Sequence, residues 1–459
     1  MLEGLFGRKV IYSPATEIHA GNVVEELNKA LEVHNLNTHR IEYLYNYYRG
    51  QQPVLQRVKT VRPEINNKIV SNHAYEIVSF KTGYVFGEPV QYVKRGEDSS
   101  EAINNLNDFM LFEDKASQDK ALADWFYICG TAYRMVLPGG EAFEIDVLDP
   151  RYTFVVYNSG FKKRPLMGVT YSENDRQEKI YTVYTANELF EIVDAAKPRK
   201  QEPHILGNIP IIEYPANKAR LGAFEIVLPL LNALNNAASN RLDGIEQHIQ
   251  SFLKFVNCDI DEDKFLALKN LGALTVKGEP GLPADVDIVT AELSQSETQV
   301  LVDNIYSSML IICGIPNRHG ATKSTSDTGQ AVMLRDGWGD AESRARDTEL
   351  MFKQSERQFL KLVLRILEIE KKLQIDLVDI DIKFTRNRAE NLLTKSQGLQ
   401  NLLEAGTHPR IALATCGLFS DPEQVWLESK EYMGKWLNKE PGYTPGNNKP
   451  DPKEAGEAM

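Results

Sequence analysis

Asp259, Asp261 and Asp263 stand at alternate positions in "CDIDEDKF", the spacing at which a calcium loop presents its first carboxylates. The rest of that loop is missing. Its sixth position is Lys264 where the sharp turn needs glycine, and its twelfth is Asn270 where a bidentate glutamate is needed. With Glu262, these acids read as a solvated acidic surface, free to meet a basic partner. "GIPNRHGATKST" invites a phosphate-loop reading, which also fails. Five residues separate Gly314 from Gly320 where the motif needs four, Ala321 and Thr322 precede Lys323, and a helical pattern stands where a strand is required. Cys129, Cys258, Cys313 and Cys416 are too dispersed for a zinc knuckle or a disulfide framework. The eight histidines form no HExxH, and no GxSxG occurs. No catalytic residue, cofactor or metal site is expected.

The composition narrows the class. The chain has 459 residues, 42% hydrophobic and 25% charged, enough for two or three folded domains. Its net charge of −12 argues against a protein that grips nucleic acid through many phosphates. It leaves room for one that lets nucleic acid slide past. No apolar run reaches the ~18–20 residues of a membrane span, and the first residues are too weakly apolar for a signal peptide. A soluble protein is expected.

The elements that would position these residues follow from periodicity. Residues 22–48 read as one or two helices, with Tyr43, Tyr45, Tyr47 and Tyr48 as packing residues, no basic cluster being interleaved with them. Residues 62–86 read as another helix, 116–128 as a third, and 130–184 as strands separated by Gly, Pro, Asn and Asp turns. After Gly222 the chain reads as helical for over thirty residues. Leu231, Leu234, Ala238, Leu242, Ile245, Ile249, Phe252 and Val256 fall on one seam. "ALTVK" and "VDIVT" in the following insert are candidate strands. A helix then starts at a Ser294/Glu297 capping box and stops at Gly314 and Pro316. A small polar loop follows, and a long helix runs from about Thr328 to about Leu373 with a kink expected at Gly337 and Gly339. Asp340–Arg344 and Glu342–Arg346 are i,i+4 pairs on it. "IDLVDIDIKF" is a further strand, residues 388–437 are short helices, and the Pro-rich residues 438–459 read as disordered.

The order of several phrases is specific. "AYEIVSFKTGYVFGEPVQY", "ICGTAYRMVL", "DVLDPRYTFVVYN", "GNIPIIEYPANKARLGAFEIVLPLLNALNNAASNRLDGIEQ" and "GIPNRHGATKSTSDTGQAVMLRDG" follow one another between residues 22 and 437. In this arrangement the chain resembles the portal protein family of tailed double-stranded DNA bacteriophages, in the subfamily of siphophages of Gram-positive hosts. The resemblance implies an α+β fold with these parts: an α+β wing (1–221), a stem helix (222–256), a small α/β clip (257–293) and a second stem helix (294–315). A tunnel loop (316–328), a long kinked helix with a strand returning to the wing (329–387) and a helical crown (388–437) complete it.

It further implies a ring of twelve subunits at one capsid vertex of the virion, assembled in the host cytoplasm. Double-stranded DNA would pass through it without sequence specificity during packaging and ejection. The terminase large subunit, the head–tail adaptor, and the major capsid and scaffolding proteins would be its partners, and no membrane is involved. Asn317, Arg318, His319, Lys323, Ser324, Thr325 and Ser326 would face the DNA. Asp259, Asp261, Glu262 and Asp263 would belong to the docking clip. Leu231, Leu234, Leu242, Ile245, Ile249 and Phe252 would pack subunits in the stem. Another phage head component, such as a minor head or adaptor protein, is the alternative, and a nucleotide-dependent enzyme is the third reading.

Overall fold

The computed structural model describes residues 7–60, 62–95, 101–249, 252–256, 285–289, 295–317, 337–371, 373–386, 392–419 and 422–434. In chain order these hold β1 (Ile11–Ser13), α1 (Val23–Tyr48), α2 (His73–Phe86), β2 (Gln91–Lys94), α3 (Glu101–Phe112) and α4 (Lys115–Cys129). A run of strands follows: β3 (Thr131–Gly139), β4 (Ala142–Leu148), β5 (Thr153–Asn158), β6 (Pro165–Glu173), β7 (Lys179–Tyr184), β8 (Glu188–Val193), β9 (Lys197–Pro203) and β10 (Ile211–Pro215). Then come α5 (Leu228–Ile249), β11 (Phe252–Val256), β12 (Asp285–Val289), α6 (Gln295–Cys313), α7 (Trp338–Glu370), β13 (Ile380–Lys383), α8 (Leu392–Glu404), α9 (Pro409–Cys416) and α10 (Pro422–Ser429). The mixed helix and sheet content is that of an α+β fold. Contacts divide the chain into one unit of residues 1–82, 122–134 and 147–352, and a second of residues 83–121, 135–146 and 353–459.

The first unit is built on a six-stranded sheet of order β1-β5-β6-β7-β8-β9. β5 to β9 form an antiparallel meander, and β1 joins β5 in parallel with Ile11 opposite Val156. Residues two apart turn to the same face of a strand. Phe154 and Val156, Met167 and Val169, Tyr181 and Val183, and Phe190 and Ile192 therefore present one apolar surface. Val23, Leu27, Ala30 and Leu31 of α1 close over it at helical spacing. The outer edge strand β9 is exposed along its length and carries Lys197, Arg199 and Lys200, which blunt it against pairing with another chain. The tyrosines at the end of α1 are packing residues: Tyr47 is fully buried, Tyr45 stacks on Trp125 and Tyr48 on Tyr75.

In the second unit β2 pairs antiparallel with β13, Tyr92 opposite Ile382. The strand "IDIK" thus pairs outside the large sheet. Phe359, Leu360, Val363, Ile366 and Leu367 make the buried stripe of the later turns of α7.

Three expectations need correction. Residues 62–72 are not helical; the chain is turned and extended there, and α2 begins only at His73. The seam helix stops at Ile249, and Phe252–Val256 is a strand paired with β12, so Phe252 lies in no stem helix. Gly337 has φ +85°, a left-handed conformation that helix interiors do not contain, and α7 starts immediately after it. The expected kink at Gly337 is a helix boundary.

Candidate functional site

α5 carries two different faces. Pro229 sits in its first turn, where no N–H partner is needed. Leu231 and Leu234 are buried, Leu242 is half-buried and Ile245 is 40% exposed, so the apolar seam climbs from the core to the surface along the helix. On another face Asn235, Ser239 and Asp243 recur every four residues and are all buried. They receive the backbone of the extended segment before α2. The N–H groups of Ser71, Ile69 and Asn67 donate to Asn235 Oδ1 (2.8 Å), Ser239 Oγ (3.0 Å) and Asp243 Oδ1 (2.7 Å).

The match is geometric. Four helical residues rise about 6 Å, and two extended residues about 6.6 Å, so alternate amides of the strap meet successive turns of the helix. Arg57 adds an ion pair to Asp243 at 3.1 Å, and Lys59 adds a second. Burial opposes the Asp243 charge, but the Lys59 ammonium and the Asn67 amides outweigh it and hold the carboxyl below its ordinary range. Sequence reading missed this ladder. Its signal was the period of four in "NNAASNRLD", which is polar where a helix buried on all sides would be apolar.

α6 packs along α5, and Arg241 Nη1 donates to Gln299 Oε1 between them at 2.5 Å. α6 ends in a Schellman motif. Gly314 adopts φ +66°, its N–H donates to Ile311 O (3.1 Å), and the Ile315 N–H donates to Leu310 O (2.9 Å). Met309, Leu310 and Cys313 are buried, whereas Val300, Leu301 and Ile311 are more than half exposed. The helix therefore has an apolar face left over after folding.

Beyond Gly314 the chain reaches Asn317, whose Nδ2 donates to Ser307 Oγ at 3.1 Å. It returns beside its point of departure: a Cβ built on Gly337 would lie 4.0 Å from Pro316 Cα. Trp338, the first residue of α7, packs its ring 6.2 Å from that of Phe80. Arg344, one turn and a half further on, donates to Ile312 O at 2.7 Å. Arg346 makes its expected pair with Glu342 at 3.0 Å. Lys81 faces this region from α2. Burial lowers its ammonium to about 8, with the nearby Cys313 and Arg344 pulling in opposite directions.

Of the residues expected to face DNA, Asn317 is described, at the start of the loop. Arg318, His319, Lys323, Ser324, Thr325 and Ser326 lie outside the described residues, as do Asp259, Asp261, Glu262 and Asp263 of the acidic cluster and the tail 438–459. Among the described residues no three His, Cys, Asp or Glu side chains are grouped to hold a metal ion, and no helix is long and apolar enough to cross a membrane.

No curated protein matches the chain. A family model does. The model described as "Phage portal protein, SPP1 Gp6-like" matches residues 27–438, a span from the first turns of α1 to beyond α10. That span contains strands β2 to β13, the paired helices and the neck between Pro316 and Gly337, and on this match the chain belongs to the SPP1 Gp6-like family of phage portal proteins.

Proposed function

We propose that copies of this chain close into a ring of twelve at one capsid vertex, and that double-stranded DNA passes through its bore during packaging and ejection. Membership of the family implies an oligomeric ring associated with the capsid and the terminase, a component of the virion with a structural part to play. The finer reading assigns α5 and α6 to the stem and residues 257–293 to the clip. There the acidic Asp259, Asp261, Glu262 and Asp263 would meet the terminase large subunit and then the head–tail adaptor. Residues 316–328 are the tunnel loop.

One observation carries this reading beyond the family match. Two long helices run together, and the chain leaves α6 and re-enters at α7 through a closed neck. A segment presented on such a neck can project into a bore while its base stays fixed. Two further features support it. A cyclic ring needs two unlike faces on each subunit, and the exposed Val300, Leu301 and Ile311 of α6 offer one. Duplex DNA carries a charge every ~1.7 Å, and neutralising many of these gives tight, salt-sensitive binding. A chain of net charge −12, whose loop has only Arg318, His319 and Lys323 as basic residues, avoids that brake.

Deleting Arg318–Ser326 is expected to leave ring formation intact and to reduce DNA-filled heads at least tenfold. Electron microscopy of the rings and counts of filled heads from proheads carrying the deletion check it. Full heads at wild-type frequency would remove the loop from the mechanism.

A further inference from the structure

We propose that Arg344 is the positioning residue of the loop neck. It holds the chain that departs from α6 against the helix that receives it, fixing the base at which the loop leaves and returns. The inference deepens the tunnel-loop reading and rests on it for its functional consequence. Its structural content stands on described residues alone.

Four observations converge on this side chain. Arg344 lies on the second turn of α7, yet its Nη1 donates to Ile312 O (2.7 Å) and its Nη2 approaches Ile311 O (3.5 Å), both in the last turn of α6. The Ile312 carbonyl is among those that a helix end leaves without an intrahelical partner, whereas Ile311 O already accepts the Gly314 N–H. A guanidinium there also answers the negative end of the helix dipole. Secondly, the residue between these carbonyls and the loop is shaped for the arginine. A Cβ on Gly314 would come within 2.1 Å of Arg344 Cδ and 2.4 Å of its Nε. Glycine at 314 therefore serves twice, supplying φ +66° for the Schellman turn and the space in which Arg344 lies.

The third observation is the neck itself: Gly337 sits against Pro316, so the clamp spans two chain segments already in touch. The fourth is the support on either side. Asn317 is tied back to Ser307 of α6 at 3.1 Å, and Trp338 is packed on Phe80 of α2. Each leg is thus fixed to the fold independently. Arg344 carries side-chain hydrogen bonds from α7 to the end of α6, whereas Glu342 and Arg346, its neighbours on α7, pair with one another. Sequence reading assigned Arg344 to an exposed i,i+4 pair with Asp340; the geometry instead joins it to the carbonyls that end α6.

The test is a charge series at 344 read by hydrogen exchange on the purified full-length chain, with peptides covering 310–317 and 337–345. Arg344→Met keeps much of the side-chain volume and removes the donors. It is expected to raise exchange in both peptides about tenfold, the loss of one or two hydrogen bonds at a helix end, while peptides from α1 and the six-stranded sheet stay unchanged. Arg344→Lys retains a cation that reaches one carbonyl, so it should restore at least half of the logarithmic loss of protection. Arg344→Glu places an anion at the helix C-terminus and should exchange fastest. A role in filling space alone would make Met and Lys alike, and that result, or unchanged exchange in Arg344→Met, overturns the clamp. In proheads, Arg344→Met rings of normal size should retain at least fivefold less DNA, with Arg344→Lys intermediate. Loosened legs with undiminished DNA retention would leave the clamp standing and overturn the link between neck and conduit.

Discussion

Replacing Lys115 with methionine is expected to destabilise the second unit by about 3–5 kcal/mol, the cost of removing one partner from a buried charge cluster. Its ammonium lies 2.8 and 2.6 Å from the two carboxylate oxygens of Asp119 and 2.8 Å from Glu356 Oε1. The three side chains are 3%, 3% and 0% exposed. Tyr92 donates its hydroxyl to the same Glu356 oxygen, and the rings of Tyr92 and Phe359 stand 5.5 and 5.4 Å from the ammonium. Methionine keeps the length of the stem and fills the same space, so packing loss is small. What is lost is the ammonium that both carboxylates share out of water. The midpoint of denaturant unfolding of the unassembled subunit measures the effect. The cause is checked in the same background: adding D119N and E356Q removes the two charges that Lys115 balanced and should recover part of the stability. A deficit below about 1 kcal/mol in the single variant would mean that water reaches the cluster and that its burial is misread.

Gly130→Ala is the second large effect, expected to cost about 3 kcal/mol or more. Gly130 ends α4 at φ +82°, where an L residue is strained by roughly 1–2 kcal/mol. Steric overlap costs more than that strain. A Cβ there would lie 2.0 Å from Arg220 O, a backbone atom with no rotamer to change. The neighbourhood is pinned on both sides: the Gly130 carbonyl accepts from the Ala216 N–H at 3.0 Å, and the Tyr127 carbonyl accepts from the Ala223 N–H at 2.6 Å. Gly222 repeats the arrangement from the opposite segment, its Cβ position 2.3 Å from Ile128 O. The two backbones approach this closely because each has a glycine at the crossing. Thermal unfolding and soluble yield of the variant measure the cost, and a melting temperature within a degree of wild type would show that the crossing can relax.

These glycines stand inside "ICGTAYRMVL" and "ARLGAFE", two of the phrases that carried the family resemblance. The sequence therefore displayed the residues of the crossing without displaying the crossing. Periodicity made other parts legible for direct reasons. Phe154/Val156 and Phe190/Ile192 alternate as strands must, and Val23, Leu27 and Leu31 step by four as a helix facing a sheet must. Where both periods fit, reading failed. Phe252 and Val256 are four apart, which suits one helical face and also one strand face, and the pairing with β12 decided for the strand.

Ile65 and Ile69 posed the same ambiguity. The strap is extended because the side chains of α5 take up its amides, a partner no local pattern announces. The helix Glu101–Phe112 escaped the reading altogether. Long-range choices were invisible because nothing in "IDIK" says that its strand partner is "QYVK", nearly three hundred residues earlier. In the candidate site the paired helices and the polar loop were readable as types and order. The neck was not, because the proximity of Pro316 to Gly337 and the reach of Arg344 to Ile312 are facts of folding.

The most direct measurement is a cryo-electron microscopy map of the purified assembly viewed down its axis. The expected result is a closed ring of twelve, with α5 and α6 around the central opening and the chain between Pro316 and Gly337 projecting into it. Particles that stay monomeric in the presence of scaffold, or a ring that carries Asn317 and Gly337 on its outer rim, would contradict a conduit built in this way.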